Sequence, residues 1–315
     1  MDLTGELWAA LTPVERTRTA KTLAGELPHG FAFDRVRTCQ LGTRKNAVAF
    51  FTRGEARFVL APGGRVRIGF DARRWTPTTD EQEGWAFAKS EYRLRGTARQ
   101  HVARVTRRPK AVKVPALLVE TTAGEVGWEP VKLSDSAVRE MLRQGRGASR
   151  MTRYSDDGSC LRVVCGADGT VTAARGQART HAGLSALLKK DGFRFPTVDE
   201  WEHLCGAGAE TLFRWGDHAP CDRYPVGKPG RWNLHRRPNA FGLTIASDPY
   251  KFELTATTGT TRGGDGGHYA CGGAGFFISW LTLATAYFEP DTCEHTRSAP
   301  VDPDSTVGRR VLELS

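Results

Sequence analysis

The sequence predicts a globular protein of mixed helices and strands, on three observations. Helix starts carry full capping chemistry at Thr12-Pro13-Val14-Glu15 and again at Thr197 with Glu200. In both, an N-cap hydroxyl and the carboxylate three residues on can satisfy each other's backbone donors. Over 35–70 the apolar residues instead alternate with polar ones, as in half-buried strands. Composition is that of ordinary globular chains, 39% hydrophobic and 25% charged, and 315 residues suffice for one large core or two modest ones.

Taken in order, a short helical turn is expected over 3–11, followed by a helix that starts at Thr12 and ends near Gly25 or Pro28. Residues 1–34 read as a helical extension to a main domain of 35–315. A hairpin is expected from 47–51 and 56–60, a turn at Pro62-Gly63-Gly64 and a strand over 65–70. Residues 71–110, polar and weakly periodic, read as loop or strand edges. The basic run 104–113 reads as an exposed edge protected by charge, and 112–119 as a buried strand. Ser134 or Ser136 is expected to cap a helix that buries Val138, Met141 and Leu142 and stops at Gly145. The basic stretch 145–158 then reads as a surface loop. Cys160 and Cys165 sit in a strand on opposite faces, one a core thiol and one a surface thiol. Thr180 is expected to cap a helix burying Leu184, Leu187 and Leu188, with Lys189 and Lys190 near its negative end.

The most informative run is 193–217. Pro196 precedes the Thr197 cap, where a helix cannot already be running. Trp201, Leu204 and Cys205 form one apolar face, glycines at 206 and 208 stop the helix, and Arg214-Trp215-Gly216-Asp217 reads as a turn carrying a large aromatic. In wording, Phe195, Pro196, Thr197, Glu200, Trp201, Glu202, Trp215, Gly216 and Asp217 match R-L-P-T-E-A-E-W-E … Y-P-W-G-D. That run resembles the signature of the formylglycine-generating enzyme (sulfatase-modifying factor) family. The stretch 58–69 is similar to the F-x-L-V-P-G-G-x-F-x-M-G opening of the same domain, 238–243 to its P-N-A-F-G-L, and 308–312 to its closing G-F-R-V strand. The resemblance implies an α+β, C-type-lectin-like fold with a short N-terminal helical extension, a fold that hosts unrelated activities.

The same resemblance shows where chemistry is altered. The family's R-G-G-S-W leads into a C-x4-C pair that holds copper(I) between soft thiolates. Here Arg262-Gly263-Gly264-Asp265 is followed by Cys271 alone, and position 276 is Phe. The family's G-N-V-W-E-W becomes a stretch ending in Phe252-Glu253-Leu254, with Pro249 where Asn is expected. The implied calcium site thereby loses an oxygen ligand from a metal that needs many. The H-x3-H-x-E iron motif of the related sulfoxide synthases is missing.

Two functional expectations follow. The first is a divergent, non-oxidase member that binds a peptide, protein or small ligand on its Gly-rich 259–275 loop. Trp215, Arg262, Asp265 and Trp280 are its candidate contacts. The aromatic run Phe276, Phe277 and Trp280 that follows the loop would complete a groove, since glycines let another backbone approach closely and aromatics give contact area with few rotors; core packing is an equal reading of those three aromatics. The alternative is an atypical copper- or iron-dependent oxidoreductase with Cys271 as catalytic residue and His268 and Cys271, or the Cys293/His295 pair, as ligands. Net charge is +10, which suits nucleic acid, acidic ligands or acidic partners. Acidic residues recur in most segments, which favours a solvated basic surface over a nucleic-acid role. The seven cysteines are scattered without a CxxC pair, so free thiols are expected. The N-terminus lacks a basic region followed by an apolar one, and no apolar run approaches the roughly eighteen residues of a membrane span, so a cytoplasmic location is expected.

Overall fold

The computed structural model describes residues 3–145, 147–156, 159–226, 232–271, 273, 275–288 and 300–314. Helices are α1 (Gly5–Ala10), α2 (Pro13–Glu26), α3 (Thr79–Glu91), α4 (Ala98–Val105), α5 (Ser136–Gln144), α6 (His181–Lys190), α7 (Val198–Gly206), α8 (His268–Cys271) and α9 (Phe276–Leu281). Strands are β1 (Phe31–Leu41), β2 (Arg44–Arg53), β3 (Ala56–Ala61), β4 (Gly64–Ile68), β5 (Lys110–Val114), β6 (Ala116–Glu120), β7 (Gly124–Glu125), β8 (Trp128–Pro130), β9 (Arg150–Tyr154), β10 (Cys160–Cys165), β11 (Val171–Gly176), β12 (Phe252–Leu254), β13 (Thr261–Arg262), β14 (Thr306–Gly308) and β15 (Val311–Leu314). Helix and strand each hold 29% of the residues. Among the described residues only β12–β14 pair in parallel, so the class is α+β.

The central sheet runs β1-β2-β3-β6-β15, which brings the last strand of the chain beside a strand from its first half. One face packs on α7 through Trp201, Leu204 and Cys205 with Phe50, Val59 and Val119. The other face packs on Leu3 and on Trp8, Ala20 and Leu23 of the N-terminal helices. The Trp8 indole N–H donates to the Ala47 carbonyl at 2.7 Å, and β1 begins at Phe31, before the boundary expected at residue 35. Smaller sheets, β8-β11-β10-β9, β13-β12-β14-β7 and the β4-β5 ribbon, surround this centre.

The capped helices form as expected. Thr12 with Glu15 and Thr197 with Glu200 make reciprocal capping boxes. Pro115 divides the expected 112–119 strand into β5 and β6. Other expectations are corrected. Residues 71–110 are not loop: α3 and α4 lie there, each with its own box, Thr78 with Glu81 and Thr97 with Gln100. Residues 150–154 of the expected surface loop pair with β10 as a strand. Asp135, not Ser134 or Ser136, caps α5. Leu187 is exposed, because only Leu184 and part of Leu188 of α6 reach apolar neighbours. In β10, Cys160 is buried and Cys165 half-buried, and every described cysteine is a free thiol. No helix among the described residues is long and apolar enough to cross a membrane.

Candidate functional site

Helix α7 supplies the floor of the 259–275 loop. Its acidic face carries Asp199 and Glu202, and the basic 104–113 run brings two members, Arg107 and Lys110, to meet them. Arg107 donates to Glu202 at 2.7 Å and to Asp199 at 2.8 Å, and Lys110 reaches Asp199 at 2.8 Å. Arg262, buried, lies 3.6 Å from the same Glu202 oxygen. Arg107 makes a charge-assisted bond to this carboxylate and Arg262 adds charge at longer range, while Glu202 Oε2 has no hydrogen-bond partner among the described residues. Burial nevertheless pushes the Glu202 carboxyl above its usual range, the two arginines opposing it. This network ties β13, where the glycine loop begins, to α7 and to the strand entering β5.

The loop that follows is locked rather than loose. Gly264, Gly266 and Gly267 take φ of 151°, 70° and 82°. A Cβ at Gly266 would lie 2.7 Å from the Phe252 ring, and one at Gly264 or Gly267 would fall into the Lys251 carbonyl or the Tyr250 ring. These positions need glycine for both conformation and space. Asp265, buried, accepts from the Gly267 amide at 2.9 Å and the Tyr269 amide at 2.8 Å, which fixes the start of α8. Asp265 thus holds the loop's own backbone.

Helix α8 places His268 and Cys271 three residues apart, one turn of helix, and both are exposed. The Cys271 thiol lies 3.0 Å from the Tyr250 hydroxyl. Its hydrogen bond and charge effects push the Tyr250 phenol above its ordinary value, the bond to Cys271 foremost. His268 packs edge-on to the Tyr269 ring. Tyr250 also lines a cleft of about 510 Å³ with Pro225, Arg236, Ser247 and Asp248.

Trp215 and Trp280 belong to the core and not to a surface. They cross Trp232 edge-to-face at 5.5 and 5.0 Å, and their indole N–H groups donate to the carbonyls of His218 and Arg223. Phe277 stacks on buried Trp75. The core-packing reading of these aromatics is the one their positions match. Phe276 packs edge-on to Tyr224 at 4.8 Å.

The metal donor sets that the sequence resemblance implies do not fit the described residues. Copper(I) between two thiolates needs a second sulfur, and the Cys271 thiol meets a phenol instead. Calcium would need Glu253 free, yet its carboxylate is spent on buried Arg309, with Nε to Oε1 at 2.6 Å and Nη2 to Oε2 at 3.2 Å. No three His, Cys, Asp or Glu side chains among the described residues gather to hold an ion. Cys293 and His295 lie outside the described residues.

Sequence reasoning missed Tyr250 as the partner of Cys271, and Arg107 and Glu202 as the support of Arg262. Pairs separated by 21 and 95 residues leave no spacing signal. No family model and no curated protein matches the chain.

Proposed function

We propose that the chain is a divergent protein of the formylglycine-generating enzyme type, with the C-type-lectin-like variant of the α+β architecture, that binds a peptide, protein or small ligand instead of oxidising one. The binding face is the 259–275 loop together with the adjoining cleft. The observation that supports this reading is the locked 264–267 segment of the glycine loop, where Cβ positions at Gly264, Gly266 and Gly267 are closed by Lys251, Phe252 and Tyr250. A face set in place before a ligand arrives loses little entropy on binding. Beside it, Arg236, Ser247, Asp248 and Tyr250 offer a cation, hydroxyls and an anion around one cleft, the sparse polar set that orients a ligand. Arg262 and Asp265, expected as contacts, act in this account as the loop's support, and Trp215 and Trp280 as its packed base.

Selection of displayed random peptides against the whole chain tests the reading, followed by titration of an enriched peptide into variants. Arg236→Ala or Asp248→Ala should weaken binding about tenfold or more, while Cys271→Ser should leave it within a factor of about two. Equal affinity for all variants, or loss confined to Cys271→Ser, would overturn the assignment of this face.

A further inference from the structure

A second concavity lies on the outer side of the β4-β5 ribbon, and it is lined by arginines. Arg107 turns inward to Asp199 and Glu202, so the next residue, Arg108, turns outward. The Phe70 amide bonds the Arg107 carbonyl at 2.8 Å. Gly69, at φ 87°, lets the end of β4 approach so closely that a Cβ there would collide with the Arg108 carbonyl. That approach sets Arg67 and Arg108 on the rim of one groove. Asp71 caps the next turn and presents Arg73 and Arg74, and the β1-β2 turn adds Arg44.

The groove has two lobes. A small one, about 210 Å³, is bordered by Arg44, Arg67 and Arg74. A larger one, about 570 Å³, is walled by Phe70, Ala72, Ala103 and Pro109 with Arg67, Arg73 and Arg108. Arg67, Phe70, Asp71 and Pro109 line both. The acids present are mostly spoken for. Asp71 binds Arg73 through two 2.9 Å bonds, Glu210 lies 3.8 Å from Arg74, and Asp217 accepts from the Leu212 amide. Arg44, Arg67 and Arg108 have no carboxylate within ion-pair distance among the described residues. Over the two lobes five arginines (44, 67, 73, 74 and 108) face three carboxylates, Asp71, Glu210 and Asp217, and an anion relieves the repulsion that this excess of positive charge leaves.

We infer that this double groove is a binding site for a small phosphorylated molecule, with phosphate in the lobe of Arg44, Arg67 and Arg74 and an apolar or ring-bearing body in the lobe of Phe70 and Pro109. Three guanidinium forks around one small lobe exceed what a single carboxylate can engage, whereas the three oxygens of a phosphate match them. A nucleic-acid strand is the poorer occupant. Strand binding uses exposed aromatic faces for base stacking, and Phe70 and Trp75 are buried, Trp75 being stacked on Phe277.

The test is calorimetric titration of the whole chain with pyrophosphate and with ADP as probes, at near-physiological salt, beside a short polyaspartate peptide and a single-stranded oligonucleotide. One equivalent of ADP is expected to bind, more tightly than pyrophosphate because it also fills the larger lobe. Arg67→Gln should weaken both at least about tenfold. Its side chain is exposed and has no carboxylate partner, so the variant's thermal midpoint should match the parent's. The inference is overturned if neither probe binds at millimolar concentration, if Arg67→Gln binds as well as the parent, or if the peptide or the oligonucleotide binds more tightly than ADP.

Discussion

Acid should destabilise this protein well above the pH at which carboxylates titrate, because three histidines are buried uncharged. His101, His203 and His235 are each pushed down from 6.5 to about 4, with burial the largest cause in every case. Nearby cations add to it for two of them: Arg104 at His101, and Arg236 and Arg214 at His235. The hydrogen bonds agree with neutral rings. His101 Nδ1 lies 2.7 Å from the Arg104 guanidinium, and His235 Nε2 lies 3.2 Å from the Arg236 Nε donor. A folded-state value below the unfolded one means that the unfolded chain binds more protons between pH 6.5 and about 4, so stability falls as pH falls through that window. Between about pH 7.5 and about pH 5 each ring should remove about 2 kcal/mol, and the three together about 6 kcal/mol. That is a large part of the 5–15 kcal/mol or so that a domain has. Urea unfolding at the two pH values measures the difference, and His203→Gln should shrink it by about 2 kcal/mol. Glu202, whose carboxyl is raised, works against the effect as it takes up a proton. A stability flat to within about 1 kcal/mol over this range, or one whose slope His203→Gln leaves unchanged, would refute the reasoning.

Three further outcomes are expected. Glu253→Gln strips the carboxylate from Arg309, whose side chain is wholly buried, and should lower unfolding free energy by about 3–5 kcal/mol by denaturation, less when combined with Arg309→Met. Gly267→Ala forces a Cβ into the Tyr250 ring at φ 82° and should cost at least about 2 kcal/mol, against about 1 kcal/mol for Gly273→Ala, where nothing lies within 4 Å. Under native conditions a thiol reagent should modify exposed Cys271 before Cys205, whose thiol burial pushes up to about 12; mass spectrometry of the labelled peptides reads the order.

The elements that were legible in the chain share one property, a local signal that agrees with tertiary packing. Thr197 with Glu200 is such a case, since the box starts a helix whose Trp201, Leu204 and Cys205 are all buried. The same box at Thr78 and at Thr97 escaped notice because the helices behind it are polar. Helix α3 buries only Glu81, Trp85 and Ala88, so its apolar period is almost silent. Strand β9 escaped for a related reason. Its Arg150, Arg153 and Tyr154 are exposed and the strand exists through its pairing with β10. Leu187 erred the other way: its spacing fits an apolar stripe, but among the described residues no element covers that side of α6. In the candidate site, the glycine loop was visible as composition while the rigidity of its 264–267 segment was not, since a Cβ at Gly264, Gly266 or Gly267 is excluded by a ring or carbonyl from another segment. The arginine groove was present in the sequence only as dispersed charge, and Gly69 and the turn at Asp71 are what gather it.

The central claim, binding through the glycine loop rather than metal-dependent oxidation at Cys271, is tested most directly by metal content. The purified chain and Cys271→Ser are loaded with copper(I) or iron(II), desalted and analysed by mass spectrometry for metal per chain. With one thiol facing the Tyr250 phenol and no second sulfur beside it among the described residues, the account predicts that neither metal is retained in stoichiometric amount by either protein. About one equivalent of copper or iron held by the parent and lost from Cys271→Ser would contradict it.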